Sequence, residues 1–121
     1  MTQTLIDWHQ FQQQYGHAPE QGQRIMAQFM LSLPAHIATI DSYLLDGDND
    51  AAQSEIHALH GACSYCCTPE LKQQLQSLEQ MLKLNETSSI PAIWQTIDAL
   101  ATLLIEEWKA HENSATSQGR S

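Results

Sequence analysis

The sequence predicts an all-α protein, an antiparallel four-helix bundle with a short additional helix at its N-terminus. Apolar residues recur at steps of three and four along most of the chain, which is the spacing of one helix face. Most of the five glycines and four prolines fall between these periodic segments, and almost nothing alternates as a strand does. A chain of 121 residues has room for one such domain.

The first two helices are separated by a break at Gly16. A short helix extends from about Leu5 to Tyr15, and a second begins near Pro19, because proline is favoured in the first turn of a helix. The apolar stripe of the second helix is Met26, Met30, Leu33, Ile37, Ile40 and Leu44. Pro34 interrupts this stripe and is expected to bend the helix, since its ring collides with the carbonyl one turn back.

Three further helices follow after polar connections. The third extends from about Asp50 to Cys66, and Thr68 and Pro69 begin the fourth as its N-cap and first helical residue. The fourth ends around Asn85. The apolar stripes are Ala52, Ile56, Leu59, Cys63 and Cys66 in the third helix, Leu71, Leu75, Leu78 and Leu82 in the fourth, and Ile90, Trp94, Ile97, Ala101, Leu104 and Trp108 in the last. We assign residues 1–112 to the bundle and 113–121 to a disordered tail, because the tail has no apolar residue to anchor it.

The composition argues against several classes of protein. Lys and Arg number 5 and Asp and Glu 14, so a formal net charge of −9 repels nucleic acid and anionic lipid. The longest apolar stretch, Ala99 to Ile105, is far shorter than the about 20 residues that cross a bilayer. No signal peptide is evident, and three clustered cysteines do not form a disulfide framework. We expect a soluble, monomeric, cytoplasmic protein without membrane contact.

The candidate functional residues lie in the segment 55–69, EIHALHGACSYCCTP, and just before it. A helical wheel at about 100° per residue places His60 at the border of the core. The residues that it turns away from the core are Gln53, His57, Gly61 and Ser64. His57 is therefore expected to project into solvent from a rigid helix. A neutral imidazole in such a position is a nucleophile that can attack an activated phosphoryl group without the help of a base.

Gly61 lies one turn beyond His57 on the same face. Glycine within a helix costs about 1 kcal/mol relative to alanine, so its presence there usually has a reason. The absence of a side chain would let the backbone of another protein approach the imidazole closely. The spacing thus places a candidate nucleophile, His57, one helical turn from a position, Gly61, where another protein could approach closely.

The run His57-Ala58-Leu59-His60-Gly61 resembles the H-x-L-K-G signature of the histidine-containing phosphotransfer (HPt) domains of bacterial phosphorelays. The surrounding segments YGHAPE, LDGDNDAAQSEIHALHG and GACSYCCTPELKQQLQSLEQMLK are similar to those of the family, and the likeness covers about Leu5 to His111. The chain also resembles the C-terminal HPt module of BarA/GacS-type tripartite hybrid sensor kinases. Whether it is a free-standing protein or part of such a kinase is left open.

This resemblance implies a specific function. The histidine matching His57 would accept a phosphoryl group from the aspartyl phosphate of a receiver domain and pass it to the aspartate of a response regulator. The receiver would supply Mg²⁺, and this chain would hold no cofactor or metal. No nucleotide-binding motif is present, so autonomous kinase activity is not expected. Gln53 and Ser64 would present the imidazole or contact the receiver, together with the first helix.

Three residues depart from the pattern of the family. His60 stands where most members have a lysine that is thought to help hold the phosphoryl group, although BarA/GacS-type modules tend to have histidine there. Ile56 replaces a small residue, and Cys67 replaces a glycine near the end of the segment. The nucleophile is intact, but a supporting role of His60 stays open.

Two alternatives remain. A helical adaptor that binds a receiver without transferring a phosphoryl group would share the same fold. A metal-binding bundle would use His60 with Cys63, Cys66 and Cys67. Zinc sites usually draw ligands from separate pairs, and two of these cysteines lie on the apolar stripe, so we assign no metal ligand.

Overall fold

The computed structural model describes the backbone of residues 4–119 and the side chains of residues 4–114. The helices are α1 (Trp8–Tyr15), α2 (Pro19–Leu45), α3 (Asn49–Tyr65), α4 (Pro69–Lys83) and α5 (Ile90–Gly119), with a 3₁₀ turn, Thr87–Ser89, before α5. No strand occurs between residues 4 and 119. Each of α2, α3 and α4 contacts the helix that follows it, α5 also contacts α2, and α1 packs on α2. The predicted four-helix bundle with an additional N-terminal helix is confirmed.

The helices begin where the local sequence can satisfy their free backbone N–H groups. The Asp7 side chain accepts a hydrogen bond from the backbone N–H of Gln10 at 3.0 Å, and Asp48 accepts one from Ala51 at 3.2 Å. Pro19 and Pro69 occupy the first turns of α2 and α4. These proline positions agree with the sequence-based boundaries. The start of α3 lies one residue earlier than predicted, because Asp48 caps it.

The core consists of one buried face from each long helix. Its buried members in the bundle helices are Met26, Phe29, Met30, Leu33, Ile40, Ala52, Ile56, Leu59, Cys63, Leu71, Leu75, Leu78, Leu82, Ile90, Ile97, Ala101, Leu104 and Trp108. The predicted stripes supply nearly all of them. Ile37, Leu44 and Trp94 are only half-buried, because they lie at the edges of the stripes.

The middle of α2 and the end of α5 are the two places where the helices need comparison with the sequence-based expectations. α2 continues through Pro34, so this proline does not end the helix. The Pro34 side chain is exposed. The bend that is expected at Pro34 stays a prediction. The backbone of α5 is helical to Gly119, whereas the sequence predicts a disordered tail from residue 113. A helix that is already nucleated by packed turns gains one hydrogen bond for each residue added, so it can extend without new packing. Residues 120–121 lie outside the described part.

The N-terminal segment is joined to the loop that follows α3. The backbone N–H of Asp7 donates to the carbonyl of Cys67 at 2.8 Å, and the Tyr15 hydroxyl donates to the carbonyl of Tyr65 at 2.9 Å. These bonds fix α1 beside the end of α3. The helix that carries His57 is therefore supported at its C-terminal end.

The same segment is also joined to α5. The Glu107 carboxylate accepts hydrogen bonds from the backbone N–H of Leu5 at 2.7 Å and from the indole N–H of Trp8 at 3.0 Å. The Trp8 ring stacks on that of His111, with 4.2 Å between ring centroids. These contacts hold the N-terminal segment and α1 against α5.

Replacing Gly22 by alanine is expected to destabilise the protein by about 1–3 kcal/mol, which is the usual cost of overpacking. Gly22 is buried in α2, and a Cβ there would lie 2.5 Å from Cβ of Tyr15. The root of the Tyr15 side chain cannot rotate away, so α1 would have to shift. Urea denaturation of the two proteins measures the difference. An unchanged or higher free energy of unfolding would contradict this account of α1 packing.

One stretch of the described residues, Thr87–Ser114, is long and apolar enough by length and composition to cross a membrane. Its residues Ile97, Leu104 and Trp108 are buried in the bundle. A core helix passes the same test of length and composition, so the test does not decide between the two. The expectation that this segment does not contact a membrane stays a prediction.

Candidate functional site

His57 projects from the middle of α3, and 74% of its side chain is exposed. The buried residues Ile56 and Leu59 flank it in the sequence and hold this part of α3 against the core. The structure thus places the imidazole on the outer face of a fixed helix. This is the placement that the helical wheel predicts.

The imidazole is oriented by Glu79 of α4. Nδ1 of His57 lies 3.2 Å from Oε2 and 3.5 Å from Oε1 of Glu79. A carboxylate can only accept hydrogen bonds, so the contact favours the tautomer with its proton on Nδ1. In that tautomer the lone pair of the neutral ring is on Nε2. The arrangement therefore leaves Nε2 as the nucleophilic atom.

Lys83 of α4 forms an ion pair with Glu79 on the same helix. Its Nζ lies 3.2 Å from Oε2 of Glu79, one helical turn away. Burial raises the pKa of Glu79, but hydrogen bonds to Lys83 and His57, with the charges of both, outweigh it and lower that pKa below its ordinary value. Glu79 is therefore a carboxylate at neutral pH although its side chain is only 11% exposed.

Replacing Glu79 by glutamine is expected to lower the free energy of unfolding by about 1 kcal/mol at neutral pH. The folded-state pKa of Glu79 lies below the ordinary 4.5. The carboxylate therefore contributes stability above that pH, and this contribution is lost as the pH falls through the folded-state pKa. Urea denaturation at about pH 7 and about pH 3 measures the difference, which should shrink at the lower pH.

The matched control is Glu55→Gln. Glu55 lies 3.6 Å from Nδ1 of His36, and both side chains of this pair are more than a third exposed. An exposed pair contributes little, so we expect nearly no change in stability. Equal losses in the two variants, or a Glu79→Gln effect that grows in acid, would contradict the role given to the buried carboxylate.

The other predicted site residues are distributed around His57. Gln53 is half-buried and lines a surface pocket with His57, Glu79 and Lys83. Gly61 is exposed, and a Cβ on it would meet no atom of the described residues within 4 Å apart from the neighbouring backbone of its own helix. Ser64 is exposed but does not line this pocket. The structure thus brings Gln53 to the imidazole, leaves open space over Gly61, and keeps Ser64 on the outer face of α3.

His60 is half-buried at the edge of the core, as the wheel predicts. The centroids of its ring and the His57 ring are 6.4 Å apart. Its Nε2 is buried and has no hydrogen-bond partner among the described residues. His60 is therefore close to the His57 ring without being hydrogen-bonded to it.

The alternative of a metal site built from His60 and the three cysteines concerns residues near the end of α3. Cys63, Cys66 and Cys67 are buried free thiols, and within the described residues they do not group with His60 as metal ligands would. Burial raises the pKa of Cys63 to about 11 and that of Cys66 to about 12. These thiols are protonated at neutral pH and behave as small apolar side chains.

Cys67 occupies a position with special backbone geometry. Its φ angle is +55°, which is the left-handed conformation that glycine adopts without a steric cost. Members of the family that the sequence resembles have a glycine near this point. A cysteine there carries a steric cost that glycine does not. The chain keeps the turn and accepts about 1–2 kcal/mol of strain there, partly offset by the burial of the thiol.

Glu79 and Lys83 lie beside His57 in the structure, and the sequence did not predict them there. The sequence does place Glu79 on the apolar stripe of α4, four residues after Leu75 and three before Leu82. A carboxylate in a core-facing position requires a polar partner. The partner was not evident because His57 comes from another helix.

Comparisons with known proteins identify the class that this bundle and its exposed histidine define. Residues 24–110 match the family model described as the Hpt domain. The chain belongs to the Hpt domain family. It therefore has a histidine phosphotransfer role in the phosphorelays of two-component signalling, and the alternative of a non-catalytic adaptor is not favoured. Hpt domains interact with receiver domains and response regulators.

Individual relatives agree with this assignment. The chain is 29% identical over 82 residues to the sensor histidine kinase GacS of Pseudomonas protegens, a match that covers 68% of this chain but only 9% of that kinase. The HPT domain of a sensor hybrid histidine kinase from Shewanella superposes with a TM-score of 0.79 at 23% identity, covering 91% of this chain and 95% of that one. The phosphotransfer protein HptB from Pseudomonas aeruginosa PAO1 gives 0.84 at 15% identity, with 93% and 98% covered. The two solved structures support the fold.

Proposed function

We propose that His57 is the residue that carries the phosphoryl group and that its Nε2 is the attacking atom. The observation that carries this proposal is the contact of 3.2 Å between Nδ1 of His57 and Glu79, on a ring that is 74% exposed. It fixes the ring by one nitrogen and leaves the other for a visiting domain. We further propose that the donor is a receiver domain of a hybrid sensor kinase and the acceptor a response regulator, in the cytoplasm, with this chain acting as a monomer.

The transfer requires no base from this chain. The lone pair on Nε2 forms a bond to phosphorus while the bond from phosphorus to the receiver's aspartate oxygen breaks, which returns a free carboxylate to the receiver. The proton on Nδ1 stays in place, and the positive charge that develops on the ring lies beside the Glu79 carboxylate. Mg²⁺ held by the receiver would neutralise charge on the transferred group. The reverse sequence delivers the group to the second receiver.

Lys83 is proposed to take over the role that a lysine at position 60 has in most of the family. The chain has a formal charge of −9, and Glu79 adds a negative charge beside His57, so an incoming phosphoryl group is repelled. Lys83 lines the same pocket as His57, and its ammonium group lies 3.2 Å from the Glu79 carboxylate. It can offset this repulsion and donate a charge-assisted hydrogen bond to the phosphoryl group.

Replacing Lys83 by glutamine is expected to slow phosphorylation of His57 by about 10-fold at low salt, with a smaller effect at high salt because the charge is screened. Single-turnover transfer from a phosphorylated receiver measures the rate. Lys72→Gln, also on α4 but outside the pocket, is the control and should keep the original rate. Equal rates for all three proteins would remove Lys83 from the mechanism.

A docking face around His57 follows from the same helix. Gly61 and Tyr65 lie one and two turns beyond His57 on α3, and Tyr65 is 64% exposed. Open space over Gly61 allows a close approach, and an exposed aromatic ring is a frequent anchor in protein interfaces. α1 lies beside this end of α3 through the bond between Tyr15 and Tyr65. We propose that the receiver docks on these residues through a modest, transient interface.

The experiment that tests the proposal incubates the chain with phosphorylated receivers and maps the phosphate by peptide mass spectrometry under alkaline conditions. Phosphohistidine is labile in acid and stable in base. The expected result is one acid-labile phosphate per chain on the peptide that contains His57. No labelling by any receiver, or labelling of a peptide that carries only other histidines, would overturn the assignment.

A further inference from the structure

Three side chains around the proposed phosphorylation site form a group with the size and donor atoms of a metal site. We propose that His57, His60 and Glu79 bind a divalent transition-metal ion of the zinc type, and that the ion and a phosphoryl group on His57 exclude each other. The first half of this inference depends only on the geometry of the three residues. The second half rests on the proposed function.

The three donors already converge. One imidazole nitrogen of His57, one of His60 and a carboxylate oxygen of Glu79 all lie within 4.8 Å of one another. His57 and His60 are three residues apart on α3 and so lie on neighbouring positions of its surface, while Glu79 reaches them from α4. In a tetrahedral zinc site with bonds of about 2.0–2.2 Å the donors are about 3.3 Å apart. Small side-chain rotations would close the group around an ion.

The donor set matches one class of ion. Two imidazoles and one carboxylate are ligands of zinc sites that keep a fourth position for water. Ca²⁺ and Mg²⁺ prefer oxygen ligands alone and are not expected here. His60 is available for binding, because its buried Nε2 has no hydrogen-bond partner among the described residues. The exposed ring of His57 gives an ion access from solvent.

Charged residues near the site both repel and attract a metal ion. Lys83 is 3.2 Å from the Glu79 carboxylate and opposes a second cation, but its side chain is 53% exposed and can turn into solvent. Asp50 lines the same pocket, and the formal charge of −9 attracts cations to the chain. Removing the charge of Lys83 should therefore tighten metal binding. A residue that only shaped the pocket would not have this effect.

Metal binding and phosphorylation compete for the same ring. An ion on Nε2 of His57 would occupy the lone pair that attacks phosphorus. An ion on Nδ1 would displace the Glu79 hydrogen bond and withdraw electron density from the ring. Both arrangements make the imidazole a weaker nucleophile. A metal-loaded chain would therefore be held in its unphosphorylated form until the ion leaves.

The binding test titrates the full chain with ZnCl₂ by calorimetry and with CoCl₂ by visible absorption, which reports tetrahedral coordination. The wild-type chain should bind one ion, and His60→Ala and Glu79→Gln should each weaken binding at least 10-fold, in the range for loss of a metal-site contact. Lys83→Gln should bind more tightly. His36→Ala and Glu55→Gln alter a histidine–glutamate pair that has no third ligand among the described residues, so both should bind as the wild type does.

Circular dichroism tests whether each variant is folded. If His60→Ala does not fold, His60→Asn serves as the second variant. An unmeasurably weak Zn²⁺ interaction in the wild type, or binding of the same strength in both His60 variants, would overturn the site.

The competition test uses phosphoramidate, a small donor whose P–N bond breaks to release ammonia as the new P–N bond forms on histidine. No receiver is present, so Zn²⁺ cannot act on a partner protein. Zn²⁺ should slow phosphorylation of the wild-type chain, a chelator should restore it, and His60→Ala should lose most of this inhibition relative to its own metal-free rate. An unchanged wild-type rate with Zn²⁺ bound would overturn the exclusion. A wild-type chain that is not phosphorylated at His57 even without metal would instead overturn the proposed function.

Discussion

The variant His57→Gln is expected to take up no phosphate from a phosphorylated receiver. Glutamine has a similar polarity and presents no nucleophilic nitrogen, because its amide lone pair is delocalised. The ring of His57 is 74% exposed and packs little against the bundle, so the helical content should be unchanged. Transfer measured on Phos-tag gels at neutral pH, with circular dichroism of the same samples, checks both expectations. A labelled His57→Gln chain would show that another residue carries the phosphoryl group.

The matched control is His36→Gln. His36 also lies beside a glutamate of a neighbouring helix, with 3.6 Å between its Nδ1 and the Glu55 carboxylate, but its pair is outside the pocket of His57. This variant should be phosphorylated at the wild-type rate. If both variants lost transfer equally, the loss would come from altered charge or fold, and the specific assignment to His57 would fail.

The variant Gly61→Ala is expected to separate stability from transfer. A Cβ at Gly61 meets no described atom within 4 Å beyond its own helix backbone, so the bundle accepts it. Alanine should therefore raise the free energy of unfolding by up to about 1 kcal/mol. The receiver backbone would meet this methyl group one turn from the imidazole. A displacement of about 1 Å in a reacting pair can cost about 100-fold in rate, and we expect a loss of that order.

Gly22→Ala provides the opposite pattern for comparison. Its Cβ would collide with Tyr15 inside the fold, so it should lose stability, and below its unfolding transition it should still transfer phosphate. Urea denaturation and single-turnover transfer on both glycine variants measure the two effects. A Gly61→Ala chain that transfers at the wild-type rate would show that Gly61 gives no clearance to the receiver.

The helices and their buried faces could be predicted because both depend on local spacing. Steps of three and four place Leu71, Leu75 and Leu78 on one side of α4 whatever the rest of the chain does, and all three are buried. The end of α5 could not be predicted in this way. Its continuation past residue 113 rests on helical hydrogen bonding that needs no apolar residue.

The site was predictable only where it lies on one helix. His57, His60 and Gly61 follow from the wheel of α3, and the structure places each of them as expected. The contact between His57 and Glu79 joins residues 22 positions apart on two helices. Its formation depends on how α3 and α4 are rotated against each other, which periodicity does not specify. The orientation of the His57 ring therefore could not be predicted from the sequence alone.

The central claim is that Glu79 holds the Nδ1 side of the His57 ring and leaves Nε2 to react. Two-bond ¹H–¹⁵N correlation spectra of the ¹⁵N-labelled chain, recorded before and after phosphorylation, distinguish the two nitrogens of every imidazole. We predict a proton on Nδ1 of neutral His57 beforehand and phosphorus on its Nε2 afterwards, with the remaining histidines unphosphorylated. Phosphorus on Nδ1, or on any other histidine, would contradict the claim.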